Sequence, residues 1–231
     1  ERGRRGVMMT TVEVLGEVAI VADGAGRVVL GRRQAQTVAC LLVVQRHRSV
    51  SRAEVAEVLW NDDLPAHWAG AVRGVVAKVR AFLDAADAGH WLQAGTEGWH
   101  LVLPAGVVVD LEQCEAAVVA AELAHSAEPP HTSGSGGAVD LGGLVDVGRR
   151  LGVGLAPGTM GPWWDGRQET VAVLRGRCLA AVHRLASKGS RLDVAVRAAT
   201  DLVELEPFSD RAGRLLIEAH VANGDRRAAA A

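Results

Sequence analysis

The sequence predicts an α+β N-terminal region built on a small antiparallel sheet, followed by an all-α region. Three observations point to this. Short β-branched runs separated by glycines fill residues 11–30, then give way to apolar patterns of helical period up to about residue 86. A second pair of short β-rich runs closes that part of the chain near residue 103. From Asp110 onward only helical periodicity recurs, broken by Pro-, Ser- and Gly-rich stretches.

The elements follow in order. Thr11–Leu15, Glu17–Val21 and Arg27–Leu30 read as strands, with Gly16 and the turn cluster Asp23-Gly24-Ala25-Gly26 between them. Residues 34–45 form an apolar helix carried by Val38, Leu41, Leu42 and Val44. Ser51-Arg52-Ala53-Glu54 is a capping box: the Ser51 hydroxyl takes a backbone N–H and Glu54 reaches back to the start of the helix. That helix runs to Trp60, and Asn61-Asp62-Asp63-Leu64-Pro65 ends it.

The stretch from Ala66 to Ala86 organises the first half. On a helical wheel Val72, Val76, Val79 and Leu83 make one stripe, edged by Val75 and Phe82, and this side faces a core. The opposite side carries only Gly70, Gly74, Ala77 and Ala81. Arg73 and Arg80 flank it on one side and Lys78 on the other. Such a helix lets its backbone approach base edges in a major groove while the flanking cations reach the phosphate walls. The exposed N–H groups and Arg52 at the preceding helix N-terminus also suit a phosphate. Gly89–Gln93 and Trp99–Leu103 then form a hairpin around a glycine-bearing turn. Sheet, three helices and a hairpin, in that order, make a winged helix-turn-helix with an additional N-terminal sheet.

The run VSRAEVAEVLWNDDLPAHWAGAVRGVVAKVRAFL, followed by EGWHLVL, resembles the OmpR-type DNA-binding domain. More closely it resembles the version found in actinobacterial antibiotic-regulatory activators. Val50-Ser51-Arg52, Leu59-Trp60 and Pro65 match the family pattern. Lys78-Val79-Arg80 stands in the basic segment, and Gly98-Trp99-His100 replaces Gly-Tyr-Arg. The resemblance covers about residues 11–110. It implies contacts to double-stranded promoter DNA from Arg73, Lys78 and Arg80, phosphate contacts at Ser51 and Arg52, and a hairpin contact that falls on Thr96. Gly74, Val75, Ala77 and Ala81 stand where the family carries more polar side chains, and Glu97 sits at the hairpin tip. A second reading therefore stays open: an interaction module that keeps the winged-helix fold and has lost most DNA contact.

The domain expectation is an arm at 1–10, a winged-helix domain at 11–109 and a helical domain at 110–231, with a flexible loop at 127–137. In the helical part, Lys188-Gly189-Ser190-Arg191 recurs as Asn223-Gly224-Asp225-Arg226. This near-34-residue spacing suggests tetratricopeptide-like helix pairs and a chain that continues past Ala231. The tandem order resembles the bacterial transcriptional activator domain of the same regulators. It implies a homodimer or signal-sensing role and contact with RNA polymerase.

Composition limits the alternatives. Hydrophobic residues make up 49% and charged residues 23%, a globular composition, and the net charge is -2. Residues 1–105 hold 12 Lys/Arg against 11 Asp/Glu, so any attraction to DNA rests on where the cations stand. Cys40, Cys114 and Cys178 form no Cys-x-x-Cys pair; buried reduced thiols and a cytoplasmic location are expected. No apolar run reaches the length of a membrane span. The glycine clusters 134–137 and 152–154 lack the context of a nucleotide loop and read as linkers. No metal-binding histidine pattern or nucleophile elbow occurs, so no enzyme, metal or cofactor is expected. Trp60 and Trp99 read as core, and Trp163-Trp164 as the anchor of a long helix at a domain junction or, alternatively, as the lining of a pocket.

Overall fold

The structure is a computed structural model that describes residues 9–22, 26–126, 140–159, 161–225 and 227–230. The expected arm up to residue 8, the turn residues 23–25 and the loop 127–137 lie outside the described residues. The chain divides into two compact units. One comprises Glu1–Glu112 with Val153–Gln168, and the other Gln113–Gly152 with Glu169–Ala231.

The first unit opens on strands β1 (Thr10–Glu13), β2 (Ala19–Ala22) and β3 (Gly26–Val29). β1 and β2 pair antiparallel with Val12 opposite Ile20, and β2 pairs antiparallel with β3. Helix α1 (Arg33–Val44) follows, then a two-residue strand β4 (Val50–Ser51), helix α2 (Arg52–Trp60) and helix α3 (Trp68–Ala85). A 3-10 turn at Gly89–Trp91 leads into β5 (Leu92–Ala94), β6 (Gly98–Leu101) and β7 (Val107–Val109). The strands form a four-stranded sheet in the order β3-β2-β1-β7 and a three-stranded sheet in the order β4-β6-β5.

Three features differ from the sequence expectation. β4 was not expected; it pairs with β6 through Val50 opposite Trp99 and Ser51 opposite Gly98. β7 was not expected either; it lies parallel to β1, with Val12 opposite Val109. Two or three residues are too few to show a period, and both strands are fixed by partners far away in sequence. The third difference is the stretch after residue 152, expected as an irregular lead into a helix. It adds to the first sheet: Leu15 and Leu155 form an antiparallel bridge, and the Gly16 N–H donates to the Gly154 carbonyl at 2.8 Å.

Asp110 locks the end of β1. Its carboxylate is 1% exposed and accepts N–H bonds from Val14 at 2.9 Å and Leu15 at 3.1 Å. A buried carboxylate needs such donors to offset its lost hydration. The core of this unit is built from Val14, Val38, Leu41, Val72 and Val79, with Trp164 buried among its largest side chains. Trp99 is buried as expected. Trp60 is only half-buried, because it stands on the last turn of α2 beside a cavity rather than inside the core.

The remaining helices are α4 (Asp110–Ser126), α5 (Leu141–Val153), α6 (Pro162–Lys188), α7 (Leu192–Leu205) and α8 (Asp210–Ala222), with a 3-10 turn at Ala228–Ala230; the second unit takes α4 from Gln113, α5 as far as Gly152 and α6 from Glu169, and the start of α6 belongs to the first unit. Gly148 on α5 packs against α6: a Cβ there would meet the Cys178 sulfur at 3.6 Å, an ordinary van der Waals contact. The Cys178 thiol donates to the Leu144 carbonyl at 3.4 Å, and burial pushes its pKa up to about 12. All three cysteines are buried, and none is joined in a disulfide. Arg177 binds Glu122 through two bonds, of 3.0 and 2.6 Å. Ser209 caps α8 by accepting the Ala212 N–H. No described helix is long and apolar enough to cross a membrane.

Candidate nucleic-acid interface

Helix α3 is two-faced. Val72, Val75, Val76, Val79, Phe82 and Leu83 are buried. Each such burial contributes about 1.5–3 kcal/mol, so this face fixes the helix in the unit. The other face is open. Gly70, Gly74, Ala77 and Ala81 are exposed, and a Cβ placed on either glycine would meet nothing within 4 Å. Arg73, Lys78 and Arg80 are all exposed, and none of them takes part in an ion pair among the described residues. Arg80 leans toward the hairpin, with Nη2 at 3.5 Å from the Leu92 carbonyl oxygen.

The N-terminus of α2 stands on the same unit and is built as the sequence indicates. The Ser51 hydroxyl accepts the Glu54 N–H at 3.1 Å, and the Glu54 carboxylate accepts the Ser51 N–H at 2.8 Å. The hydroxyl keeps its own proton to donate, and Arg52 beside it is exposed. Arg48 grips Glu54 at 2.6 Å, a feature that sequence reasoning missed. The hydrogen bonds from Arg48 hold the Glu54 carboxyl down at about 2, with the Ser51 backbone and hydroxyl adding to the effect. Glu54 is therefore ionised at neutral pH, and Arg48 offsets its charge next to the helix end. Arg48 precedes the capping box by only three residues, but no spacing rule marks it.

The hairpin tip carries Thr96 and Glu97, both exposed. The turn closes through the Gly95 N–H to the Gly98 carbonyl at 2.8 Å. Gly98 sits at φ 154° beside β4, so the hairpin and the α2 cap are joined through backbone alone. The sequence-derived residues thus fall on three parts of one unit: Arg73, Lys78 and Arg80 on α3, Ser51 and Arg52 at the start of α2, and Thr96 on the hairpin. No group of three or more metal-ligating side chains occurs among the described residues.

Comparison with known proteins places the fold. No protein-family model matches the chain, and no curated protein matches it. Among solved structures, the chain is similar to Mycobacterium tuberculosis EmbR, determined in complex with a low-affinity phosphopeptide. The TM-score is 0.62 at 19% sequence identity, over 96% of this chain and 57% of that one. The chain thus spans just over half the length of that neighbour. The likeness shows a shared fold.

Proposed function

We propose that the chain is a DNA-binding transcriptional regulator of the antibiotic-regulatory activator kind, with a winged helix-turn-helix in its first part and a tetratricopeptide-like helical region after it. The observation that carries this reading is the state of α3. Its apolar back is buried while its small-residue front and three cations are exposed, and none of the cations is held in an ion pair among the described residues. A buried front, or cations bound in ion pairs, would have left nothing to offer a duplex. The fold shared with EmbR and the tandem motif order in the sequence support the same reading.

In this reading α3 enters the major groove. Gly70, Gly74, Ala77 and Ala81 admit the backbone close to the bases, and Arg73, Lys78 and Arg80 bind the phosphates on either side. Ser51 and Arg52 hold a further phosphate at the start of α2, and Thr96 supplies a hairpin contact. The helical region serves dimerisation or signal sensing, and RNA polymerase is a further partner that the family resemblance implies. With so little hydrogen-bonding capacity on the α3 front, most of the affinity is to phosphate.

One observation favours a second reading. The hairpin tip presents Glu97, which repels phosphate, and the bare front of α3 also suits close packing against another protein. An interaction module of this fold would bind duplex DNA feebly or not at all. Fluorescence anisotropy with labelled genomic fragments separates the two. The regulator reading expects binding by the wild-type chain and its loss in the Arg73→Ala, Lys78→Ala, Arg80→Ala triple variant. Equal binding by both proteins overturns the assignment of α3.

A further inference from the structure

The first unit contains a cavity of about 340 Å³ against the C-terminal half of α2 and the segment Gly161–Trp164. That volume is in the range of small-molecule sites. Trp60, Trp163 and Trp164 supply aromatic surface to its wall. Trp163 and Trp164 meet edge to face, with ring centroids 4.7 Å apart.

Two features of the wall are costly to the protein. Trp164 is 1% exposed, and its indole N–H has no hydrogen-bond partner among the described residues. A buried donor left in that state has lost its hydration without compensation. Asn61, the residue that ends α2, holds φ 49° and ψ -121°, a backbone conformation that favours glycine. Backbone strain of this kind collects at ligand sites.

The charges select the ligand. Arg48 and Glu54 neutralise one another at 2.6 Å. Glu57 also lines the cavity and takes part in no ion pair among the described residues, which leaves its carboxylate open to a cation. Arg167 already stacks on Trp163, 5.5 Å from the ring centroid, so an incoming cation is directed to Trp60 and Glu57 instead.

We propose that this cavity is a binding site for a small organic amine: a flat apolar ring against the tryptophans, with its ammonium group at Glu57. Asn61 opens the connection that leads into α3, so an occupant bears on the entry to that helix. Any consequence for DNA rests on the proposed function; the binding itself does not, and the test therefore omits DNA.

Three ligands on one ring system provide that test: 5-methoxytryptamine, neutral 5-methoxyindole and 5-methoxyindole-3-acetate, each titrated calorimetrically into the whole chain. The amine is expected to bind about tenfold or more tighter than the acid, with the neutral ring between them. Glu57→Gln, an exposed position that leaves the fold intact, is expected to erase that order. Val58→Trp, which fills the cavity, is expected to abolish amine binding while the thermal transition persists. No heat with the amine, equal affinity for amine and acid, or an unchanged preference in Glu57→Gln each overturns the proposal.

Discussion

Gly98 lies opposite Ser51 in the β4–β6 pair, and a Cβ at position 98 would stand 2.0 Å from the Val50 carbonyl oxygen and 2.8 Å from the Ser51 Cα. The hairpin is thereby pressed directly onto the chain that caps α2. Gly98 is also at φ 154°, where a side chain is strained whatever the space around it. Gly98→Ala is expected to destabilise the chain by about 2–4 kcal/mol, read as a lowered urea midpoint with unchanged slope. A change below about 0.5 kcal/mol would show that the pair relaxes easily and that the cap and hairpin are not rigidly joined.

The Asp110 carboxylate joins the end of β7 to the end of β1 through the Val14 and Leu15 N–H groups. Asp110→Ala strands both donors and is expected to cost about 2–4 kcal/mol. Asp110→Asn keeps one acceptor oxygen and is expected to cost less. Equal losses in the two variants would show that the fold depends on the negative charge at this position and not on the number of acceptors.

Glu54 gives the chain an acid-sensitive contact. Its folded pKa of about 2 lies below the ordinary 4.5, so its contribution is full above 4.5 and fades as pH falls toward 2. The side chain is 36% exposed, and solvent screening keeps the contribution below about 1 kcal/mol at neutral pH. Glu54→Gln is expected to lower stability slightly at pH 7 and to have a smaller effect near pH 2–3. Denaturation curves at the two pH values check this; an effect that grows on acidification contradicts it.

Gly74 sits inside α3 with open space where a Cβ would be. Gly74→Ala is therefore expected to stabilise the chain by about 0.5–1 kcal/mol, through the helix alone. Gly74→Glu leaves the fold intact as well, but places a negative charge on the face assigned to DNA. It is expected to abolish duplex binding while the thermal transition is retained.

The local features were readable in the sequence and the non-local ones were not. The valine stripe of α3 declares its buried face because helical period is written in adjacent turns, and the Ser51–Glu54 box is a four-residue pattern. Exposure of Arg73, Lys78 and Arg80 follows from the same wheel. By contrast β7 has its identity only through β1, nearly a hundred residues earlier, and Leu155 reaches Leu15, just past β1, from farther still. Asp110 reads as a helix-starting residue; nothing nearby announces that its carboxylate serves Val14 and Leu15. Trp60 was expected in the core because tryptophan at the end of an apolar run usually is, but here it borders a cavity.

The salt dependence of duplex binding tests the central claim most directly. Affinity is measured for the wild-type chain and for the Arg73→Ala, Lys78→Ala, Arg80→Ala variant across a series of salt concentrations. Three phosphate contacts on α3 predict that the plot of log affinity against log salt is shallower in the variant by about 2–3 units. Identical slopes, or no binding by the wild-type chain at low salt, contradict the account of α3 as the helix that enters DNA.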